Sequence, residues 1–376
     1  MPASILFRTD ASLQIGTGHV MRCLTLADAL RAHGARCRFI CRGHKGNMID
    51  YIRQRGHEAD ALAPPGQVVG PAVPLADLDT IPNHEPWLEV DWGTDAMQSV
   101  SAAESSHHDW LVVDHYAIDA RWESAMRSTS RHLMVIDDLA DRRHDCDLLL
   151  DQNLGRISGD YDRLVPPACQ RIIGPSYALL RPEFGNLRKR SLARRKQPSL
   201  RRLLVSLGGV DKDNLTSRVL RALRASKLPP DCSITVVMGA NAPALAAVLQ
   251  LAREMPWATT VLVDAENMAD LMTECDLAIG AAGSTTWERC CLGVPSLMIV
   301  AADNQRGIAS AMDLIGAAHT LGDAQNSSFD QALVESIDAF SSIPDLLHAM
   351  TEKAHLLVDG EGAQRVSRAM MSLTQD

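Results

Sequence analysis

The sequence predicts an α/β protein made of two doubly wound parallel sheets. Three observations carry this reading. At 376 residues the chain exceeds one ordinary domain. Short apolar runs that end in polar residues alternate with segments of helical periodicity, the pattern of strands buried on both faces and joined by crossover helices. The pattern then breaks in a basic stretch near residue 190 and starts again, so there are two such units.

In the first half, ILF (5–7) reads as a strand and 19–34 as a helix. Val20, Leu24, Leu26, Ala27 and Leu30 lie near helical spacing, and Gly34 makes a C-terminal stop. CRFICRG (37–43), WLVVDHY (110–116), HLMVIDD (132–138), CDLLLDQN (146–153) and RIIGPSYALL (171–180) read as further strands. Strands ending in Asp, His and Tyr put polar side chains at the carboxyl edge of a sheet, where such folds bind ligands. Residues 64–106, rich in Pro, Asp, Glu and Ser, are expected to form a long excursion on the rim, with one short helix around 94–103. His107 and His108 are expected in solvent.

Arg181–Arg202 holds nine Lys or Arg and one acid, Glu183, and is expected to be a solvated interdomain linker. Beyond it, 201–209, 232–239, 259–264, 276–284 and 296–302 read as strands or strand-plus-turn. The segments 213–226, 242–255, 268–275 and 285–293 read as helices. The expected organisation is a first domain over 1–185, a linker over 186–200, a second domain over 201–350 and a C-terminal helix in 351–376. A ligand cleft is expected between the two domains.

A net charge of −9 and 4% aromatic content argue against nucleic-acid binding. The longest apolar stretch, LGVPSLMIVAA (292–302), is too short to span a bilayer, and the start lacks a signal-peptide pattern. A cytoplasmic protein without membrane insertion is expected. The nine cysteines include no CxxC pair and are expected to be reduced and mostly buried, Cys290 and Cys291 in the core. No cofactor and no metal site is expected, and the sequence sets no oligomeric state.

Gly16 and Gly18 lie in a turn that leads from the first strand into a helix. Met21 stands where a dinucleotide fingerprint would have its third glycine, and the second strand ends without an acid for a ribose hydroxyl. Both features argue against NAD or FAD. His19, in that turn, is either a general base near neutral pH or a helix-start residue that bonds its own turn. Arg8 and Asp10 flank the loop, either orienting it or forming a structural ion pair.

Gly280–Thr286 follows a strand and opens a helix. Its small residues let an anion approach the backbone, while Ser284, Thr286 and free amides can donate. Glu288 either complements the helix start, in a capping box with Thr285, or receives the two hydroxyls of a ribose. Gly208–Gly209 make a second glycine turn on the same edge. Asn304 and Gln305 bring two amides there, for sugar hydroxyls or acetamido groups or as loop braces. Asp137–Asp138 is adjacent rather than spaced and reads as a strand-end turn, not as the acidic DxD cluster of a metal-dependent transferase.

RTDASLQIGTGHVMRCLTLAD, VDHY, SYALLRPEF, SLGG and IGAAGSTTWERCCLGVPS with a downstream NQ resemble one family, the UDP-2,4-diacetamido-2,4,6-trideoxy-β-L-altropyranose hydrolases of pseudaminic acid biosynthesis. The resemblance covers roughly residues 4–350, and WLEVDW (87–92) looks like the family's usual insertion. The glycine loops are more distantly similar to those of the glycosyltransferase that completes lipid II. That similarity implies a GT-B-like fold: two Rossmann-like domains with UDP on the C-terminal one.

The resemblance implies a UDP-sugar as the small-molecule partner, hydrolysed by water at the anomeric carbon without a metal. It implies that Glu288 binds the ribose, that Gly283, Ser284, Thr285 and Thr286 hold the diphosphate, that His19 is the base and that Tyr116 orients the water. Gly16, Gly18 and Arg22 join the expected substrate-contacting set, with Gly208, Gly209, Asn304 and Gln305. The competing readings are a GT-B glycosyltransferase using a UDP-sugar donor and a non-catalytic nucleotide-sugar sensor.

Overall fold

The computed structural model describes residues 2–64, 82, 84–103 and 107–374. Two compact units are present, Met1–Leu179 with Gly362–Asp376, and Leu180–Glu361.

The first unit runs β1 (Ser4–Thr9), α1 (Gly18–Ala32), β2 (Arg36–Arg42), α2 (Ile49–Gln54), β3 (Glu58–Leu62), α3 (Trp92–Ala103), β4 (His108–Asp114), α4 (Ala120–Met126), β5 (Ser130–Ile136), β6 (Leu148–Asp151) and β7 (Gln170–Ile173). Its seven strands are ordered β3-β2-β1-β4-β5-β6-β7 and pair in parallel. Ile5, Leu6, Phe7, Trp110, Leu111 and Val112 are fully buried, because helices cover both faces of a parallel sheet. The strand order reverses between β1 and β4, so the loops after these two strands diverge and leave a crevice at their carboxyl ends.

The second unit runs α5 (Pro182–Arg194), β8 (Arg202–Ser206), α6 (Leu215–Leu223), β9 (Ser233–Met238), α7 (Leu245–Arg253), β10 (Ala258–Val263), α8 (Met268–Glu274), β11 (Leu277–Ala281), α9 (Thr285–Cys291), β12 (Ser296–Val300), α10 (Arg306–Leu314), β13 (His319–Asp323), α11 (Phe329–Ser342) and α12 (Asp345–Ala354). The sheet order is β10-β9-β8-β11-β12-β13, which reverses between β8 and β11. α13 (Gly362–Leu373) belongs to the first unit, where Val366 and Met370 enter the same core cluster as Leu26 and Leu30 of α1.

Four expectations change. The basic stretch is not a solvated linker: 182–194 is the helix α5, inside the second unit. Its arginines satisfy carbonyls that helix ends leave free. Arg195 donates to Met272 O, Cys275 O and Leu292 O, and Arg188 to Cys291 O. The expected C-terminal helix is two helices in different units; Gly362 lets the returning chain approach Ala178, whose carbonyl would lie 2.2 Å from a Cβ there. His108 is buried, its Nδ1 2.8 Å from Ser4 Oγ, whereas His107 is exposed. In the excursion the helix spans Trp92–Ala103, and residues 65–81 lie outside the described residues. All nine cysteines are free and buried.

Candidate active site

Two sets of polar residues stand at the carboxyl ends of the two sheets. In the first unit, Gly16 (φ 81) closes the turn after β1, donating its N–H to Ser12 O at 2.9 Å, and α1 begins at Gly18. His19 therefore sits in the first turn of α1. Asp114 ends β4, in register with Thr9 of β1. His19 Nδ1 is 2.6 Å from Asp114 Oδ1. Arg22, one turn further along α1, donates Nε to Oδ2 at 2.6 Å and Nη2 to Oδ1 at 2.7 Å of the same carboxylate. Burial would push the Asp114 carboxyl up, but Arg22 and His19 outweigh it and hold it well below the usual range. An ionised carboxylate only accepts, so Nδ1 carries the hydrogen. Nε2 of a neutral ring is then a bare lone pair, and it makes no hydrogen bond among the described residues.

Arg22, expected among the substrate-contacting residues, directs its guanidinium to Asp114 and, through Nη1 at 2.7 Å, to Asp138. It positions the carboxylate that positions His19. Tyr116 is brought to His19, ring on edge at 4.5 Å, and its hydroxyl donates to Asp138 Oδ2 at 2.7 Å. Burial first, then the Asp138 charge, push the phenol well above its ordinary value, so it stays protonated. Its hydroxyl proton is committed, and its oxygen accepts no hydrogen bond among the described residues.

Sequence reasoning missed Asp114, Asp138, His84 and Trp87. Trp87 stacks on Tyr116 at 5.6 Å and meets His19 edge-on at 6.4 Å. His84 packs against Trp87 at 4.6 Å and Tyr116 at 5.3 Å. Both lie at a short 3₁₀ turn, Glu85–Leu88, ahead of α3. The WLEVDW motif was the available signal, and VDHY carried Asp114 unremarked.

Arg8 and Asp10 form the structural ion pair that was the other reading of them. They belong to a fully buried ionic cluster: Arg8 Nη1 lies 2.7 Å from Asp10, and Arg8 Nη2 lies 2.7 Å from Asp95 on α3. Arg42 Nη2 reaches the same Asp95 at 2.6 Å, and Trp122 Nε1 donates to it at 2.9 Å. Asp10 also accepts the Arg42 N–H at 2.7 Å. This cluster fastens α3 to the ends of β1 and β2, and so fixes the segment that carries His84 and Trp87.

In the second unit, Gly208 (φ 101) and Gly209 turn the chain after β8, with open space where their side chains would be. The Gly283–Thr286 turn follows β11 and opens α9. Gln305 Oε1 accepts the Ala301 N–H at 3.0 Å, and Nε2 would lie 3.8 Å from a Cβ on Gly283. Asn304 lies in the same 3₁₀ turn, Asp303–Gln305, and is exposed. The capping box does not form: α9 has no side-chain cap bond. Within ion-pair distance, among the described residues, Glu288 has one cation, Arg181, at 4.0 Å. Burial pushes its carboxyl up to about 7, despite Arg181. Among the described residues no group of three or more His, Cys, Asp or Glu side chains is arranged to hold a metal ion, and no helix is long and apolar enough to cross a membrane.

Two parallel-sheet Rossmann-like domains, each with glycine turns and polar side chains at the carboxyl edge, define a GT-B-like α/β protein. The crystal structure of Acinetobacter baumannii MurG matches it at a TM-score of 0.70 with 16% identity, covering 99% of this chain and 100% of that one. In sequence, the chain is similar to UDP-2,4-diacetamido-2,4,6-trideoxy-beta-L-altropyranose hydrolase of Campylobacter jejuni, 27% identical over 81% of this chain and 94% of the relative. It is also similar to spore coat polysaccharide biosynthesis protein SpsG of Bacillus subtilis, 31% identical over 53% of this chain and 58% of that protein. No family model matches.

Proposed function

We propose that the protein is an enzyme that hydrolyses a UDP-sugar, with UDP-2,4-diacetamido-2,4,6-trideoxy-β-L-altropyranose as substrate. The observation that carries the reading is the His19–Asp114 pair, at 2.6 Å, at the strand-order reversal of the first sheet. The name of the Campylobacter relative supports the substrate. In this scheme water attacks the anomeric carbon and His19 Nε2 takes its proton. The bond from that carbon to the diphosphate oxygen breaks, and UDP leaves with the electron pair. Asp114 stabilises the imidazolium that forms. Donors at the Gly283–Thr286 turn offset the charge growing on the diphosphate, and Glu288 receives ribose hydroxyls.

Incubating the purified full chain with the UDP-sugar and no acceptor tests this. UDP and free sugar should appear, and in ¹⁸O-water the label should enter the sugar rather than UDP. UDP release that depends on an added acceptor would favour a glycosyltransferase, and binding without turnover would favour a sensor. Because the scheme needs no metal, turnover should survive EDTA. Loss on chelation, restored by Mg²⁺, would overturn that part.

The assignment of Glu288 predicts a pH dependence. Its folded pKa of about 7 lies above the ordinary 4.5, so between these values the folded protein holds a proton that the unfolded chain has released. The group's contribution to stability is therefore lost as pH rises through about 7. A ribose diol donates to the ionised form, so UDP should bind more tightly from pH 6 to pH 8, by up to about tenfold, the change in ionised fraction across one unit either side of the pKa. Calorimetry of the parent and Glu288→Gln checks this, because UDP's own phosphate titration is common to both. Superimposable pH profiles would remove Glu288 from the ribose.

A further inference from the structure

The second unit buries a cation that has no counter-ion within ion-pair distance among the described residues. Arg289 is 3% exposed. Nη1 donates to Thr285 Oγ1 at 3.2 Å, and Nη2 donates to Ala281 O at 3.0 Å and Thr286 Oγ1 at 3.1 Å. Its Nε is buried without a partner, and no carboxylate among the described residues comes within ion-pair distance. The buried arginines of the first unit are treated differently: Arg8, Arg22 and Arg142 each pair with aspartate. Arg195, which also lacks a carboxylate, is surrounded by three carbonyls. Arg289 has one carbonyl and two hydroxyls.

A guanidinium keeps its charge, and a buried charge without a partner is costly. The fold accommodates it deliberately. A Cβ on Gly280 would lie 2.5 Å from Nη1, so the end of β11 gives up its side chain to make room. With seven residues, α9 contributes little macrodipole of its own, and the positive potential at this turn comes from the side chain. Glu288, the next residue, offsets it only in part: no oxygen of it lies within ion-pair distance of Arg289 among the described residues, and burial pushes its carboxyl up to about 7, so it is about half ionised near neutral pH.

The hydroxyls point to what completes the charge. Thr285 and Thr286 each accept a hydrogen bond from Arg289, so each O–H is directed elsewhere, and neither donates to any group among the described residues. Gln305 Nε2 is a third donor without an acceptor there, on the Gly283 side of the turn. Three unused donors backed by one unpaired cation form a receptor for an anion.

We infer that Arg289 is the built-in counter-charge for the ligand's diphosphate, and that it polarises the Thr285 and Thr286 hydroxyls that donate to the phosphate oxygens. The inference rests on the UDP-sugar reading and names the residue that would make the diphosphate, rather than the nucleoside, the tightly held part.

Titration calorimetry of the full chain with UDP and with uridine tests it, on the parent, Arg289→Met and Arg289→Lys. Arg289→Met should lose about 10- to 150-fold in UDP affinity, the scale of a charged hydrogen bond, with uridine affinity within about twofold of the parent. Arg289→Lys keeps the charge without the fork and should lose less, again for UDP only. Without ligand, the Met variant should melt no earlier than the parent, since an unpaired buried charge has been removed; a merely structural arginine would melt earlier. Should the Met variant not fold, the UDP-selective loss in the Lys variant decides. Unchanged UDP affinity, or equal losses for UDP and uridine, overturns the role of Arg289 alone. A parent that binds no UDP overturns the UDP-sugar reading and this inference with it.

Discussion

His19→Gln is expected to lower kcat by about 10²–10⁴, the usual worth of a general base, with little change in KM. Glutamine has similar reach, and its amide can still donate to Asp114, so the surroundings keep their partner. It cannot take a proton from water. In the proposed scheme Asp114 is what directs the base: by accepting from Nδ1 it fixes the tautomer and leaves Nε2 bare. Arg22 holds that carboxylate through both oxygens, so Arg22→Lys, which loses the fork, should lower kcat in the same direction. Steady-state kinetics with the UDP-sugar decides. A near-normal kcat with a raised KM would make His19 a binding residue, the alternative that its place at a helix start always left open.

Much of this site could be read in the sequence, because the code for it is local. A glycine turn after an apolar run, or a strand closing on Asp-His-Tyr, is visible within ten residues. The pairings were not visible. His19 and Asp114 are 95 residues apart and meet only because β1 and β4 are neighbours in the sheet. Asp138, read as a turn residue, instead holds Arg22, Tyr116 and Asn153.

Arginine was misread most consistently. A run of positive charge reads as solvated when the acceptors lie elsewhere. Arg195 finds its carbonyls 77 to 97 residues on. The return of α13 to the first unit left no local trace except Gly362, whose missing side chain matters only beside Ala178.

The second large effect is on stability. Asp95→Ala should cost about 3–5 kcal/mol, because removing one partner of a buried ion pair leaves the other charge stranded. Here two guanidinium groups share one carboxylate, Arg8 having Asp10 as its other partner, and the Arg8, Arg42 and Asp95 side chains are fully buried. Burial alone would push the Asp95 carboxyl up, but Arg8 and Arg42 outweigh it and hold it below its ordinary range. The sign follows: stabilisation by this group is present above its unfolded pKa and is lost as pH falls through the lower folded value. The parent should therefore lose stability in acid through this group, and the variant should lack that part of the dependence. Asp95→Asn, which keeps the shape and some hydrogen bonds, should fall between the two. Asp50→Ala, at an exposed pair with Arg53, should change stability by less than about 0.5 kcal/mol and serves as the control. Urea unfolding followed by tryptophan emission suits the measurement, since Trp87, Trp92, Trp110 and Trp122 all lie in the first unit. The variant should also lose turnover beyond its loss of folded protein. Asp95 fastens α3, and the chain just ahead of α3 carries the two rings that pack around His19 and Tyr116. A parent-like urea midpoint for Asp95→Ala would mean that the two arginines find other partners, and that the cluster does not anchor this segment.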